Sequence, residues 1–572
     1  MPVHNQDIAE QFDELADLLE IEGANAFRVR AYHNAARTLR DLPHSVTEMV
    51  SAGENLTELP GIGKDLASKI ETIVETGRFP QLDELKKAMP KGLAEVKDIA
   101  GLGPKRVKAL HEALGVEDVE GLKKAAQAGQ LHELSGFGKK TEENILHELE
   151  TRGSGEKRHL LREAESRAEP LVDYLGRVDG VKEVVVAGSY RRRKATVGDL
   201  DILVSCTRNS PVMQRFVDYE DVSDVISHGG TRATVVLKSG MQVDLRVVAS
   251  SSFGAALHYF TGSKGHNIRV RKMGLERGFK INEYGVFQGD TQIAGKTEAD
   301  VYSQVGLPYI EPELREERGE IEAARDGKLP ELIELDDIKG NLHNHTKASD
   351  GAATLREMAT AAKEHGWSYL AITDHSKALR VANGLDEDRL ARQVDEIEAL
   401  NDELDGITLL KSIEVDILED GSLDLSDAIL KRLDLRVCSI HSHFRLSRDK
   451  QTARVMRAMD NPYFNILAHP SGRLLGSREG YSIDMERLID HARENGCIME
   501  VNAQPQRLDL DDVYCKMACE AGVKLAISTD AHTPHHLDFM RYGIDQARRG
   551  WVTADDVVNT RSLKDLRKLV AR

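Results

Sequence analysis

Several absences narrow this 572-residue sequence before any motif is read. Its five cysteines, Cys206, Cys438, Cys497, Cys515 and Cys519, make no CxxC pair and no disulfide framework. Cys515 and Cys519 lie one helical turn apart, but nothing nearby completes a metal site. No apolar run approaches the roughly 18 residues of a membrane span, so no membrane partner is expected. The opening, MPVHNQDIAEQFDELADLLE, lacks the basic-then-apolar pattern of a signal peptide and reads as amphipathic helix; a cytoplasmic location follows as the expectation. An excess of positive charge is missing too. With 77 Lys and Arg against 95 Asp and Glu, the net charge is −18, which argues against a protein that coats nucleic acid by bulk attraction and leaves local basic patches as the alternative.

The length suggests three or four domains, and 40% hydrophobic with 30% charged residues describes a soluble globular chain. Residues 1–150 read as helical, broken by three similar glycine turns: LPGIGKDLASKI (59–70), IAGLGPKRVKAL (99–110) and LSGFGKKTEENIL (134–146). β-type segments follow: VKEVVVAG, DLDILVS and a hairpin over 231–248 that turns near Ser239-Gly240. Residues 313–337 are acidic, carry no strand pattern and read as a linker. From Gly340 onward, apolar strands alternate with amphipathic helices, the pattern of a parallel α/β sheet or barrel. The histidines and carboxylates of that half sit at strand ends, where such barrels carry their chemistry.

In each glycine turn, missing side chains let backbone N–H groups approach a phosphate, and the following helix adds its positive end. One copy would mean little. Three copies, with Lys105-Arg106 and Lys139-Lys140 just after two of them, resemble the helix-hairpin-helix motif. The candidate DNA-backbone contacts are Gly61, Gly63, Gly101, Gly103, Lys105, Gly136, Gly138 and Lys139, a grip that reads no sequence.

The segment AGSYRRRKATVGDLDILV holds the first chemical site. Asp199 and Asp201 are two apart on a strand and share a face, and Asp244 lies on a second strand in QVDLRVV. Three converging carboxylates need cations, and Mg²⁺ or Mn²⁺ bridged to substrate phosphates suits them. Two such ions serve phosphoryl transfer. Upstream, Gly188-Ser189 and the cluster Arg191 to Lys194 make a candidate triphosphate cradle.

The second site is richer. His343, His345, Asp350, His375, Glu414, His441, His469, Asp530 and His532 come from successive strand ends. Imidazole and carboxylate in these proportions exceed what one ion uses, so two or three Mn²⁺, Zn²⁺ or Fe²⁺ ions are expected, activating water against a phosphoester. Arg473 and Arg507 are candidate phosphate holders. His443 is a spare, and His365, His491, His535 and His536 read as surface residues.

The GS…GDLDILV segment, continued by YFTGSKGHNIRVRKMGLERGFKINEYGVF (259–287), resembles the X family of DNA polymerases; the second half resembles the PHP (polymerase and histidinol phosphatase) family, with a distorted (β/α)₇ barrel. The resemblance implies helical domains over 1–85 and 86–152, a nucleotidyltransferase palm of mixed sheet and helices over 153–252, a thumb over 253–312 and a PHP domain over 338–572. It implies catalytic metal binding by Asp199, Asp201 and Asp244, and triphosphate contacts from Ser189 and Arg192. Tyr259, Phe260 and Gly262 would line the sugar pocket, with Asn267 and Arg271 on the nascent pair and template. Lys69 matches a lyase lysine that forms a Schiff base, provided its pKa is depressed; a phosphate-contacting or solvated lysine is the alternative. Arg193, Gln242 and Lys264 depart from the family pattern. The implied function is filling of short gaps in DNA from dNTPs, with Mn²⁺-dependent 3′–5′ exonuclease and, as a further activity of the same domain, abasic-site cleavage, in a monomer. The rivals are a small-phosphate esterase tethered to DNA by the first half, and a non-catalytic scaffold at DNA ends.

Overall fold

The computed structural model describes residues 5–42, 45–88, 104–134 and 158–571, together with Gly92, Leu93, Val96, Leu102, Phe137, Gly138, Glu142 and Ile145. The chain divides into two compact units, 1–157 and 158–572. In the first, helices Asn5–Glu22 and Ala26–Asp41 pack against each other, and the rings of Phe12, Tyr32 and Phe79 meet in the core. Asn25 caps the second helix by accepting from the Phe27 N–H, and Gly77, with φ of 68°, closes helix Lys64–Thr76. A separate apolar cluster gathers Leu93, Val107, Leu110, Leu122 and Ile145 with Ile21.

The second unit opens with a five-stranded sheet. Its strands are β1 (Val181–Val186), β2 (Asp199–Cys206), β3 (Val222–His228), β4 (Arg232–Leu237) and β5 (Gln242–Val248), in the order β1-β2-β5-β4-β3. Only β2 and β5 run parallel. The hairpin β4–β5 turns at Gly240, whose φ of 84° suits the expected turn. β3 escapes a sequence reading because it is an exposed edge strand, with Val225 and Ile226 facing outward and no buried face to impose alternation.

Helices Phe253–Thr261 and Lys264–Glu276 follow, with a small antiparallel sheet of β6 (Lys280–Asn282), β7 (Gly285–Gln288) and β8 (Thr291–Ala294). Their core includes a buried cation. The Arg315 guanidinium bonds Glu298 (2.6 Å) and the Ile310 carbonyl (2.9 Å) beside the rings of Tyr302 and Tyr309.

Residues 313–337, expected as a linker, are packed structure instead. Leu314, Ile321 and Ala324 join the core just described, and Glu320–Arg325 is helical. The acidic character that suggested a solvated connection has another cause: Glu313 pairs with Arg548 (2.8 Å) and Glu316 with Arg549 (3.0 Å), while Arg318 meets Asp512 (2.8 Å). Charged residues on both sides of the seam satisfy one another.

The last architecture is a ring of parallel strands: β9 (Gly340–Asn341), β10 (Tyr369–Ile372), β11 (Thr408–Lys411), β12 (Glu414–Asp416), β13 (Val437–Ser439), β14 (Ile466–Leu467), β15 (Ile498–Asn502) and β16 (Leu525–Ser528). They form a three-stranded sheet, β9-β10-β11, and a five-stranded one, β12 to β16 in order. β11 and β12 are halves of one strand broken at Ser412-Ile413. Single bridges, His375 with Glu414 and Asn344 with Ala531, join the two sheets and give a seven-strand ring. The breaks are the distortion of the barrel. Helices such as Leu355–Glu364, Glu387–Asn401 and Met485–Asn495 cover the outside.

Candidate metal centres

In the palm sheet, the parallel register sets Asp201 opposite Asp244 and Asp199 opposite Gln242. Neighbouring strands lie about 4.8 Å apart, so the carboxylates converge. Leu200, Ile202, Val243 and Leu245 are fully buried and lock that register. Burial, followed by repulsion from Asp199 and Asp244, pushes the Asp201 carboxyl up to about 6. Asp244 is oriented by Thr234 Oγ1 (2.6 Å), Gln242 Nε2 (3.0 Å) and Arg232 Nη2 (3.4 Å). A Cβ on Gly188, whose φ is 64°, would stand 2.8 Å from Asp201 Oδ2, so only glycine lets this turn approach the carboxylates. Ser189 follows in the four-residue helix Gly188–Arg191. Crowded carboxylates, one of them already reluctant to ionise, form a donor set that fits hard divalent cations.

Arg192 is placed otherwise than expected. Its guanidinium turns to Glu316 (3.0 Å) and to the Thr261 carbonyl, and its own carbonyl accepts from Arg549 (2.7 Å). Glu316 comes from the packed segment read as a linker and Arg549 from the barrel, which the motif alone does not reveal. Gly262 lies beside Arg192, Asn267 donates to the Tyr259 carbonyl (2.7 Å), and Phe260 lies under Arg246, 4.4 Å from its ring centre. Arg271 is exposed.

At the barrel mouth, all nine expected residues come together. Glu414 is the hub: its oxygens lie 2.7 Å from His375, 3.1 Å from His469, 3.4 Å from His343 and His441, and 3.6 Å from His345. Asp530 stands 3.1 Å from His345 and 3.6 Å from His343; Asp350 lies 3.5 Å from both His375 and His532. Three overlapping ligand groups result: His345, Asp350, His375 and His532; His343, His345 and Asp530; His375, Glu414 and His441. His343 Nε2 and Glu414 Oε2, which face each other in the cluster, are buried without hydrogen-bond partners, a lack that bound ions would make good. His469 and Asp530 hold φ of 28° and 49°, strained backbone at two ligand positions. The residues fit divalent metal.

Arg507 lies 3.8 Å from Asp530, at the rim. The Arg473 guanidinium donates to the carbonyls of Arg507 (3.0 Å) and Leu508 and so braces that turn. His443 is exposed, 3.7 Å from Glu419 and outside the cluster.

In the first unit, Gly61 has φ of 77° and Gly63 caps helix Lys64–Thr76 without a side-chain bond to its first N–H groups. The apolar residue inside each glycine turn, Ile62, Leu102 and Phe137, is buried. Gly138 is exposed; Gly101, Gly103, Gly136, Lys139 and the Lys105 side chain lie outside the described residues. Lys69 bonds Asp65 (2.5 Å) and Tyr32 (2.7 Å). Burial lowers its pKa, but those bonds outweigh burial and raise it. A Schiff-base nucleophile needs the reverse.

Family models match along the chain: a helix-hairpin-helix domain (3–79), a SAM-like helix-hairpin-helix tandem (93–151), DNA polymerase beta palm (161–235), DNA polymerase beta thumb (256–316) and a PHP domain (341–504). The DNA polymerase/3′-5′ exonuclease PolX of Bacillus subtilis (strain 168) is 40% identical over 577 residues, covering 100% of both chains. This chain belongs to the PolX family. Its barrel is also similar to a probable phosphatase of Thermoanaerobacter sp. (strain X514), 31% identical over 38% of this chain and 89% of that one.

The PolX-type barrel contains supports that the sequence reading missed. Glu500, fully buried, accepts from His343 Nδ1 (2.7 Å) and the His469 N–H (2.7 Å). Asp416 faces His441 Nδ1 at 3.2 Å. Asp374 accepts from Thr346, Ser349 and Gln393, and so fixes the loop between His345 and Asp350. A signal was present: Glu500 is an acid inside the apolar strand CIMEVNA, and buried acids in core strands are rare without a partner.

Proposed function

We propose that this chain is a DNA polymerase that fills short gaps, with a 3′–5′ exonuclease in its barrel. The convergence of Asp199, Asp201 and Asp244 at one end of the second unit's first sheet, with eight grouped metal-type ligands in its barrel and His469 beside Glu414, carries the reading. Mg²⁺ or Mn²⁺ at the palm and two or three Mn²⁺, Zn²⁺ or Fe²⁺ at the barrel would neutralise phosphate charge and activate the attacking hydroxyl or water. Asp244, held by Thr234 and Gln242, is the residue poised to take the primer 3′-hydroxyl proton, while Gly188 and Ser189 present backbone and hydroxyl donors to the triphosphate. Arg192 joins them once it leaves Glu316. Tyr259, Phe260 and Gly262 line the sugar, with Asn267 and Arg271 toward the base pair and template. In the barrel, Glu500 and Asp416 fix the imidazoles of His343 and His441, and Arg507 steadies the scissile phosphate. Gapped or primed DNA and dNTPs are the substrates, and the glycine turns of the first unit grip the DNA backbone. Among the described residues no helix is long and apolar enough to cross a membrane; a cytoplasmic monomer is the reading we adopt.

Labelled gapped DNA with Mn²⁺, with and without dNTPs, tests it. Asp199→Ala stops extension and spares degradation; His343→Ala does the reverse. Loss of both activities in either variant refutes two separate sites. The likeness to a probable phosphatase favours a second reading, a small-phosphate esterase tethered to DNA. That reading requires turnover of a phosphomonoester with no nucleotide addition.

A further inference from the structure

His375 is followed at once by a loop, Ser376 to Leu385, that returns to its starting point. Ser376 bridges Leu385, and the Leu385 N–H donates to the His375 carbonyl (2.7 Å). The crossing is close: a Cβ on Gly384 would stand 1.9 Å from the Ser376 carbonyl oxygen. The loop is pinned on three sides. The Ala378 N–H donates to buried Asp424 (2.7 Å), and Asn383 Nδ2 donates to the Ala348 carbonyl (3.2 Å). Arg389 donates to the carbonyls of Asn383 (2.8 Å), Gly384 (3.0 Å) and Ala348 (2.5 Å). Ala348 stands two residues before the ligand Asp350. The loop is therefore built onto both ligand-bearing segments and is preformed.

Its tip is apolar and open. Val381 is 92% exposed, the most exposed large hydrophobic residue among those described. Arg380 beside it is exposed, as is Lys377. A lone exposed valine on a loose loop carries no meaning. Here the same side chain is held out by a braced loop, next to a guanidinium, two residues or at most about 7 Å of chain from Asn383 and its contact with the Asp350 segment. The loop leaves the ligand His375 just past the C-terminal end of β10, on the face of the barrel that carries the metal cluster. Apolar side chains that pack on or wedge between bases, and arginines that neutralise phosphates, are the usual means of holding nucleic acid without reading sequence.

We infer that the Ser376–Leu385 loop holds the 3′ end of the DNA strand at the barrel, Val381 packing on the face of a terminal base and Arg380 pairing with a phosphate of the same strand. The inference rests on the exonuclease reading above and adds to it the element that recognises the strand. Neither residue touches the metal cluster, so both act on strand binding.

The test compares full-length wild type, Val381→Asp, Val381→Ile and Arg380→Ala in Mn²⁺-dependent degradation of a 5′-labelled single-stranded oligonucleotide. Metal content per chain and dNTP incorporation at the palm are measured alongside. The expected result is a KM at least tenfold higher for Val381→Asp and several-fold higher for Arg380→Ala, with kcat within threefold of wild type. Val381→Ile matches wild type, and metal content and incorporation are unchanged. Degradation kinetics within twofold of wild type for Val381→Asp overturn the inference. So does loss of metal in step with loss of degradation, which would make the loop only a support for His375. A His343→Ala protein that still degrades DNA removes the exonuclease reading, and with it this one.

Discussion

Replacing Asp201 by Asn is expected to strengthen the metal-free fold while ending polymerisation. Asp201 is half-buried between Asp199 and Asp244, and its carboxyl sits at about 6 where 3.8 is ordinary. The sign follows from linkage. A carboxyl whose folded-state pKa is raised favours the folded state fully below the unfolded value, and that favour is lost as pH rises through the folded value. Above pH 7 the ionised Asp201 therefore works against folding by about 3 kcal/mol, at about 1.4 kcal/mol per tenfold. Asparagine removes the charge and the penalty. The gain should be about 3 kcal/mol at pH 7.5, about half of that at pH 5 and close to zero below pH 4. Denaturant unfolding in EDTA at those three pH values, followed by a palm-specific probe, measures it. Excess Mg²⁺ should reverse the order, because wild type then gains binding energy that Asp201→Asn lacks. An Asn variant less stable than wild type at pH 7.5 in EDTA, or a gain that does not change with pH, refutes the argument that the three carboxylates repel.

Glu414→Gln should cost more than the roughly 10- to 100-fold typical of an outer partner, because Glu414 faces five imidazoles; metal analysis should show less bound metal and DNA degradation should collapse with extension intact. Gly188→Ala should lower dNTP incorporation by about 100-fold, since the new Cβ displaces Asp201 and the positive φ adds strain; single-turnover incorporation reads this. Glu316→Gln releases Arg192 toward the triphosphate, and steady-state kinetics should show a KM for dNTP lower by on the order of fivefold, the worth of about 1 kcal/mol; a higher KM contradicts the view that Glu316 competes with nucleotide.

The parts of this molecule legible in sequence are those where one local pattern determines the outcome. Asp199 and Asp201 share a face because strands alternate, and so do His343 and His345 in NLHNHT. What escaped depends on partners distant in the chain. Glu316 reads as one acid among many until Arg192 and Arg549 close around it, and Arg473 looks free for phosphate until the Leu508 turn occupies it. β3 lacked any signal because both its faces are exposed. The supporting acids Asp374, Asp416 and Glu500 were visible as charges in apolar strands, but their roles depend on which histidine they face.

The pairs running from Glu313, Glu316 and Arg318 into Arg548, Arg549 and Asp512 make the connection between palm and barrel a strut and not a leash. A barrel so braced has no arc to sweep. On that geometry a strand end built at one centre is expected to reach the other by movement of the DNA and not of the barrel.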